Sequence, residues 1–353
     1  MSLLEKMLKS GSIKESSLLS KSKFFNVKES IQTDLPILNI AFGGTLDGGI
    51  IPGLTIIAGE SKSFKTMLSL YCMKAFLDKH SEGVALLYDS EFGITPEYLA
   101  EFGIDTDRVV HIPITDIEQL KFDILQKLQS VESKEKVFIM IDSIGNLASK
   151  KEVEDAENEK SVADMSRAKS LKSLFRIITP YLTTKSIPCI AINHVYKELG
   201  LYPKAIVSGG TGLYYSANMI FIITRSQEKD GTDLSGFKFT INIEKSRYVK
   251  EKSKLPFSVL MDGGMQKWSG LFDIALEAGF IIKPKQGWYQ LVDMSTGEVS
   301  EKSYREKEIA RSDEVFGKLV KDPQFKEFIE NKYKLTASVQ GQNDEEDLES
   351  DDE

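Results

Sequence analysis

The chain has 353 residues, 41% of them hydrophobic and 28% charged, a balance that suits a globular protein of about two domains with a sizeable core. It excludes a transmembrane helix, since no run of about 18 apolar residues is present, and the opening MSLLEKMLKSGSIKESS lacks a continuous signal-peptide core. Eight of the 53 acidic residues crowd into residues 343–353 and the other 45 match the 45 lysines and arginines, so the formal charge of -8 belongs to a tail on a neutral body.

Residues 1–20 read as a short helix with Leu3, Leu4, Met7 and Leu8 on one face, interrupted by Gly11 and Ser12. So small an arm cannot bury its own apolar face and has to dock on the body or on another subunit. Lys23-Phe24-Phe25-Asn26-Val27 is an aromatic anchor in polar surroundings, suited to joining subunits or to packing on the core. The run from Leu35 to Phe42 opens the main domain. Gly43-Gly44, Asp47-Gly48-Gly49 and Pro52-Gly53 then mark a turn-rich loop.

Next comes the stretch that organises the rest. An apolar strand from Leu54 to Ala58 runs into Gly59-Glu60-Ser61-Lys62-Ser63-Phe64-Lys65-Thr66, and a helical pattern follows from Met67 to Leu77. Strand, tight loop, helix is the context of a phosphate-binding loop. Unpaired N–H groups at the helix start face an anion. Lys65 adds a mobile cation for the terminal phosphates, and Thr66 a hydroxyl for magnesium. Phe64 stands where the pattern G-x-x-x-x-G-K-[ST] has its second glycine, a position that usually needs close backbone approach or positive φ. A buried strand followed by a Ser/Lys-rich surface turn fits the same letters.

Strands are expected from Val84 to Tyr88, from Val109 to Ile112 and from Val137 to Ile141, with a helix from Ile117 to Leu128 before the last. The third run has no polar alternation, which points to a parallel sheet covered on both faces. Further strands run from Ile187 to Ile192, Asn218 to Thr224, Lys238 to Glu244 and Phe257 to Met261. Alternating strands and helices followed by strands alone predict an α/β, doubly wound core extended by an antiparallel part. A boundary is expected near Gly263-Gly264, then a small α/β or mostly helical module, then disorder beyond about Ala337. Cys72 and Cys189 sit in apolar segments and read as buried thiols of a reducing compartment. The histidines, His80, His111 and His194, are too scattered for a zinc site.

In an open α/β sheet the ligand lies beyond the carboxyl ends of the strands. Asp142 closes one such strand and can hold magnesium beside Thr66, or cap the next helix. Glu91, past the strand ending at Tyr88, is the candidate for activating water, with Asp89 a helper or a cap. His194 can sense a γ-phosphate, or is a buried hydrogen-bonded histidine. After it, the stretch from Val195 to Lys204 and then Ser208-Gly209-Gly210-Thr211-Gly212 read as a long flexible loop coupled to that sensor. Tyr196, Lys197, Tyr202 and Lys204 interleave rings and positive charge, which suits single-stranded nucleic acid and also an ordinary surface loop. A second long loop is expected from Ala148 to Ser161, with Lys150 and Lys151 in it. The helix from Val162 to Thr179 carries Arg167, Lys169, Lys172 and Arg176, basic residues for a phosphate backbone or a solvated face. Lys245 and Arg247 follow a strand and face one side, so both can reach one polyanion. If that polyanion is a neighbour's nucleotide, hydrolysis depends on assembly.

This order of motifs resembles the RecA-type strand-exchange recombinases, nearest the branch of the T-even bacteriophages. SKSFK, LLYDSEFGITPEYL, IDSIGNLASKKE, MSRAKSLKSLFRI and CIAINH carry the likeness, which spans roughly residues 1–335. The resemblance implies a RecA-like P-loop NTPase core over 31–265, with a mostly parallel sheet extended by antiparallel strands. An N-terminal helical arm over 1–30, a small C-terminal α/β domain over 266–336 and an acidic tail over 337–353 complete the expected organisation. It implies ATP and Mg²⁺. Gly59, Glu60, Ser61, Lys62, Ser63, Phe64, Lys65 and Thr66 would cradle phosphates, Tyr98 would stack on adenine, and Thr66 and Asp142 would hold the metal. Without that likeness, Tyr98 reads as a helix-surface tyrosine. Glu91 would be the general base. His194 falls where many members have glutamine as γ-phosphate sensor, and Lys245 and Arg247 would reach ATP in the adjacent subunit. The loops with Lys150, Lys151, Arg167, Lys169, Tyr196, Lys197, Tyr202, Lys204, Gly209 and Gly210 would line a DNA channel. Implied partners are single- and double-stranded DNA, copies of the chain in a helical filament, a single-stranded DNA-binding protein and a recombination mediator. The helix at the start and Phe24-Phe25 would dock on the neighbour, and the tail would compete with DNA or bind an accessory protein. The setting implied is the cytoplasm of an infected bacterium. A RecA-fold helicase or motor shares the phosphate chemistry and is the alternative.

Overall fold

The computed structural model describes residues 2–13, 16–22, 29–132, 134–158, 166–197, 205–230, 233–260 and 264–336. The first element, α1 (Leu3–Lys9), is opened by a capping box between Ser2 and Glu5. Leu3 and Met7 on it are 74% and 53% exposed, so its apolar face is unburied in the single chain. The Phe24-Phe25 anchor and the acidic tail lie outside the described residues. Helix α2 (Pro36–Gly43) starts on proline and ends on Gly44 at φ 72°, the usual asymmetry of helix ends.

Then strands and helices alternate: β1 (Gly53–Gly59), α3 (Lys65–Lys79), β2 (Val84–Asp89), α4 (Pro96–Glu101), β3 (Val109–Pro113), α5 (Ile117–Ser130), β4 (Val137–Asp142), α6 (Lys150–Glu157), α7 (Ser166–Thr184) and β5 (Pro188–Asn193). A short pair, β6 (Val195–Lys197) and β7 (Ala205–Val207), precedes α8 (Thr211–Ser216). The antiparallel run is β8 (Met219–Asp230), β9 (Asp233–Lys245), β10 (Lys254–Leu260) and β11 (Gly264–Met265). The last part holds α9 (Leu271–Glu277), β12 (Ile281–Lys285), β13 (Trp288–Leu291), α10 (Glu306–Ala310), α11 (Asp313–Leu319) and α12 (Pro323–Tyr333).

One nine-stranded sheet has the order β11-β10-β9-β8-β1-β5-β4-β2-β3. From β8 to β3 all pairings are parallel, and β9, β10 and β11 extend the sheet antiparallel. This is the expected RecA-like core. Neighbouring strand residues point to opposite faces, so Ile57, Leu87, Met140 and Ile190 join one buried cluster with α2 and α3. Ile56, Leu86, Ile139 and Ala191 join the other with α5 and α7. Both faces are apolar, which is why these strands lack polar alternation.

Two expectations are corrected. The stretch from Ala148 to Ser161 is not simply a loop, because α6 lies within it. Ser149 Oγ accepts from Glu152 N–H at 3.1 Å and Glu152 Oε2 from Ser149 N–H at 3.3 Å, a reciprocal cap that starts a helix with no buried residue. The stretch after His194 begins as an antiparallel ladder, Val195↔Val207 to Lys197↔Ala205, with strands too short to show a period.

The expected boundary near residue 264 is not a gap in packing. Trp268, Leu271, Phe316 and Phe325 belong to the same cluster as Ile37 and Phe257. The end of α12 returns to the core, with Lys250 N–H donating to Tyr333 O at 2.8 Å and Leu335 N–H to Tyr248 O at 2.9 Å.

Candidate nucleotide-binding and catalytic site

Strand β1 is the fifth of nine and delivers its carboxyl end to the middle of the sheet edge. Gly59 there is tightly enclosed: a Cβ would lie 2.5 Å from Ser63 Oγ and 2.7 Å from Ile223 O. The loop then turns through two left-handed residues, Lys62 at φ 60° and Phe64 at φ 67°. Phe64 thus takes the backbone conformation for which glycine is usually needed. An L-residue there costs about 1–2 kcal/mol. Its ring packs with centroids 5.3 Å from Phe239 and 6.0 Å from Phe257, and such aromatic pairs contribute about 0.5–1.5 kcal/mol each. The anchored ring offsets the strain, so the loop keeps its form without the glycine.

Lys65 opens α3 and is 7% exposed. Its Nζ donates to Glu60 O at 2.8 Å and to Ser63 Oγ at 3.3 Å. Burial pulls the ammonium pKa below the usual lysine range, while Glu91 and Asp142 oppose that shift. Thr66 Oγ1 donates to Asp142 Oδ2 at 2.7 Å. Asp142 is 3% exposed, and its Oδ1 is buried with no hydrogen-bond partner among the described residues. Burial raises its pKa to about 6, against the Thr66 hydrogen bond and with the repulsion of Glu91 and Asp89. A buried carboxylate oxygen with no donor, next to a hydroxyl, is the donor set of a hard divalent cation. The residues present therefore fit Mg²⁺, which Asp142 and Thr66 would hold.

Glu91 stands on a turn made by Asp89, whose Oδ1 accepts from Glu91 N–H at 3.0 Å and Phe92 N–H at 2.8 Å. Asp89 is buried and faces His111 Nε2 at 3.2 Å, so it builds the turn and does not line the cavity. Glu91 Oε1 accepts from Ser143 Oγ at 2.9 Å and Asn146 Nδ2 at 3.0 Å, with His194 Nε2 3.6 Å away. The His194 ring lies on Gly145, where a Cβ would come within 2.3 Å of Cδ2. Ser61, Lys65, Thr66, Glu91, Asp142 and His194 line one cavity of about 290 Å³. Tyr98 on α4 donates its hydroxyl to Met67 Sδ, and Met67 also lines the cavity.

Sequence reasoning missed Ser143, Gly145 and Asn146, which hold Glu91 and seat His194. Their only signal is position, in the turn that follows the strand ending at Asp142.

Other candidates lie elsewhere. Gly59 pairs with Ile223 and Ile223 with Ile241, so Lys245 is four residues farther along β9 toward the opposite sheet edge. Along the strand direction this is roughly 10 Å, because a bulge sets Lys245 opposite Ile220, three residues from Ile223. Lys245 Nζ donates to Tyr214 O at 2.7 Å, and Arg247 is exposed. Neither is brought to the cavity of its own chain. Lys150 and Lys151 are exposed in the first turn of α6, Lys169 is exposed on α7, and Tyr196 on β6 is 54% exposed. Lys197 ends β6, and Gly209 and Gly210 form a left-handed turn before α8. Tyr202 and Lys204 lie outside the described residues. Arg167 is turned inward: its guanidinium donates to carbonyls of the turn after β4.

A model of the RecA N-terminal domain matches residues 1–266. A model of the C-terminal domain of the bacteriophage T4 recombination and repair protein matches residues 268–329. The recombination and repair protein of Enterobacteria phage T4 is 49% identical over 339 residues, 95% of this chain and 86% of that one. Protein RecA of Streptomyces rimosus is 29% identical over 265 residues, 74% of this chain and 68% of its own length. Protein RecA of Kineococcus radiotolerans is 27% identical over 267 residues, 74% and 73% of the two chains. The phosphate loop on the central strand, the carboxylate at the end of β4 and likeness along nearly the whole chain agree, and the chain belongs to the RecA family.

Proposed function

We propose that this protein is a recombinase that binds ATP and Mg²⁺, assembles as a helical filament on single-stranded DNA, and pairs that strand with a homologous duplex for exchange. Recombination, repair and recombination-dependent replication in an infected bacterium are the processes it would serve. A single-stranded DNA-binding protein and a mediator would be its partners. The observation that carries the reading is the convergence of Lys65, Thr66, Asp142 and Glu91 on one cavity. No helix among the described residues is long and apolar enough to cross a membrane.

In this reading the loop N–H groups and Lys65 hold the terminal phosphates, and Tyr98 flanks the base. A magnesium ion held by Thr66 and Asp142 would supply charge that neutralises the phosphates. Glu91 takes a proton from the attacking water; water oxygen bonds to the γ-phosphorus as its bond to the β–γ bridging oxygen breaks. Ser143 and Asn146 aim the Glu91 carboxylate, and His194 stands beside it where a γ-phosphate is felt. Lys150 and Lys151 on α6, Lys169 on α7 and the turn at Gly209-Gly210 face DNA, contacting its phosphates, while homology is read by base pairing. Lys245 and Arg247 complete the site of an adjoining copy.

The test is turnover of ATP with and without single-stranded DNA, with ADP and AMP resolved, alongside joint-molecule formation from homologous and heterologous substrates. Glu91→Gln is expected to keep ATP and DNA binding and to lower turnover by about 10²–10⁴. Wild-type turnover in that variant removes Glu91 as the base. Unwinding of a duplex without joint molecules would instead favour a helicase.

A further inference from the structure

Arg167 is the second residue of α7, and its side chain reaches back under the strand ends. Nε donates to Leu147 O at 2.8 Å, and Nη2 to Ile144 O at 2.9 Å and Gly145 O at 2.8 Å. Nη1 lies 3.5 Å from Ser208 Oγ. Burial lowers the guanidinium pKa, opposed by Glu152. These contacts occupy most of the fork and leave little of it for a phosphate.

The groups so gathered come from two loops. The turn over residues 143–147 carries Ser143 and Asn146, which hold Glu91, and Gly145, which seats His194. Ser208 opens the glycine turn. Its carbonyl accepts from Asn193 Nδ2 at 2.6 Å, and its N–H donates to His194 O at 3.0 Å. One planar cation therefore ties the turn behind the candidate base to the start of the glycine turn. A point charge such as lysine cannot hold all four partners at once.

We propose that Arg167 is a positioning residue that makes these two loops move as one body. A nucleic acid seated on the glycine turn is thereby felt at Glu91 and His194. This rests on the recombinase reading above, and it assigns Arg167 an inward role in place of a DNA contact. The guanidinium is the shared link between the two loops.

The experiment uses the full chain, ATP with Mg²⁺ and oligo(dT), comparing wild type with Arg167→Gln and Arg167→Lys. In both variants the ratio of DNA-stimulated to unstimulated turnover, at saturating ATP and oligo(dT), is expected to fall about tenfold or more. The salt dependence of oligo(dT) binding is expected to keep the wild-type slope, because no phosphate contact is lost. A slope reduced by about one, with the ratio intact, would make Arg167 a phosphate contact and overturn the proposal. So would a full ratio in Arg167→Lys, since charge alone would then suffice. Should Arg167→Gln fail to fold, the lysine variant decides. A wild-type chain whose turnover ignores oligo(dT) removes the recombinase reading itself. Stimulation that persists in the variants removes only the coupling.

Discussion

Phe64 and Asp142 show two opposite solutions at neighbouring points of one cavity. Phe64 accepts backbone strain and is held by two rings of the sheet, Phe239 and Phe257. Phe64→Gly removes that anchor, and we expect stability to fall by about 1–3 kcal/mol and KM for ATP to rise, with Phe64→Tyr close to wild type. Urea unfolding and steady-state kinetics measure the two effects. Asp142 holds a charge that the ligand-free fold disfavours. Its folded pKa of about 6 lies above its ordinary 3.8, so the folded chain binds the proton more readily than the unfolded one. Stability from this group is therefore present at low pH and lost as pH rises through about 4 to 6, a change of about 3 kcal/mol. Asp142→Asn is expected to raise the thermal midpoint of the ligand-free protein at pH 7.5 but not at pH 4. It should also abolish the stabilisation that Mg²⁺ and ATP give the wild type. Differential scanning calorimetry with and without chelator reads both.

Lys65, Thr66, Glu91 and Asp142 were legible in the sequence because Asp142 closes an apolar run, Glu91 lies just past one, and Lys65 and Thr66 open the helix that follows a strand and a tight loop. Ser143 and Asn146 were not, since a polar residue in a turn carries no period. Arg167 was legible as a basic residue on a helix and misleading as to direction. A cation facing solvent and one turned onto carbonyls have the same letter.

At the scale of elements, the strands of the parallel sheet were readable because burial on both faces leaves unbroken apolar runs. Helix α6 was not, because it buries nothing and stands on its cap. Ser149→Ala is expected to cost about 1 kcal/mol and to speed amide exchange across residues 150–157 without changing exchange in β1. Hydrogen exchange followed by mass spectrometry distinguishes these segments. The β6–β7 ladder has three residues a strand, below the length at which alternation can be recognised. The segment after residue 265 reads as a separate domain from its punctuation, yet its apolar faces close the core of the main sheet. Composition marks where a chain turns; only packing shows whether the two sides share an interior.

For the whole molecule, the register of β9 sets a limit on what one chain can do. Lys245 and Arg247 lie toward the sheet edge away from their own phosphate loop. If they serve a neighbour, inactive chains of two kinds should rescue one another. Mixing Glu91→Gln with Arg247→Ala is expected to restore DNA-stimulated turnover to about a quarter of wild type if copies alternate at random. Turnover of the mixture no higher than the sum of its parts would place the complete site inside one chain. The unburied face of α1 fits such an assembly, since Leu3 and Met7 would find cover there.

Lys65 already has oxygen partners, Glu60 O and Ser63 Oγ, before any nucleotide arrives. An incoming phosphate thus swaps ligands on an ammonium that is never bare. Calorimetric titration should accordingly show a modest heat of capture for the phosphate tail. The grip of this pocket on its fuel would then come from the cradle being ready-shaped, with little fresh attraction released on arrival.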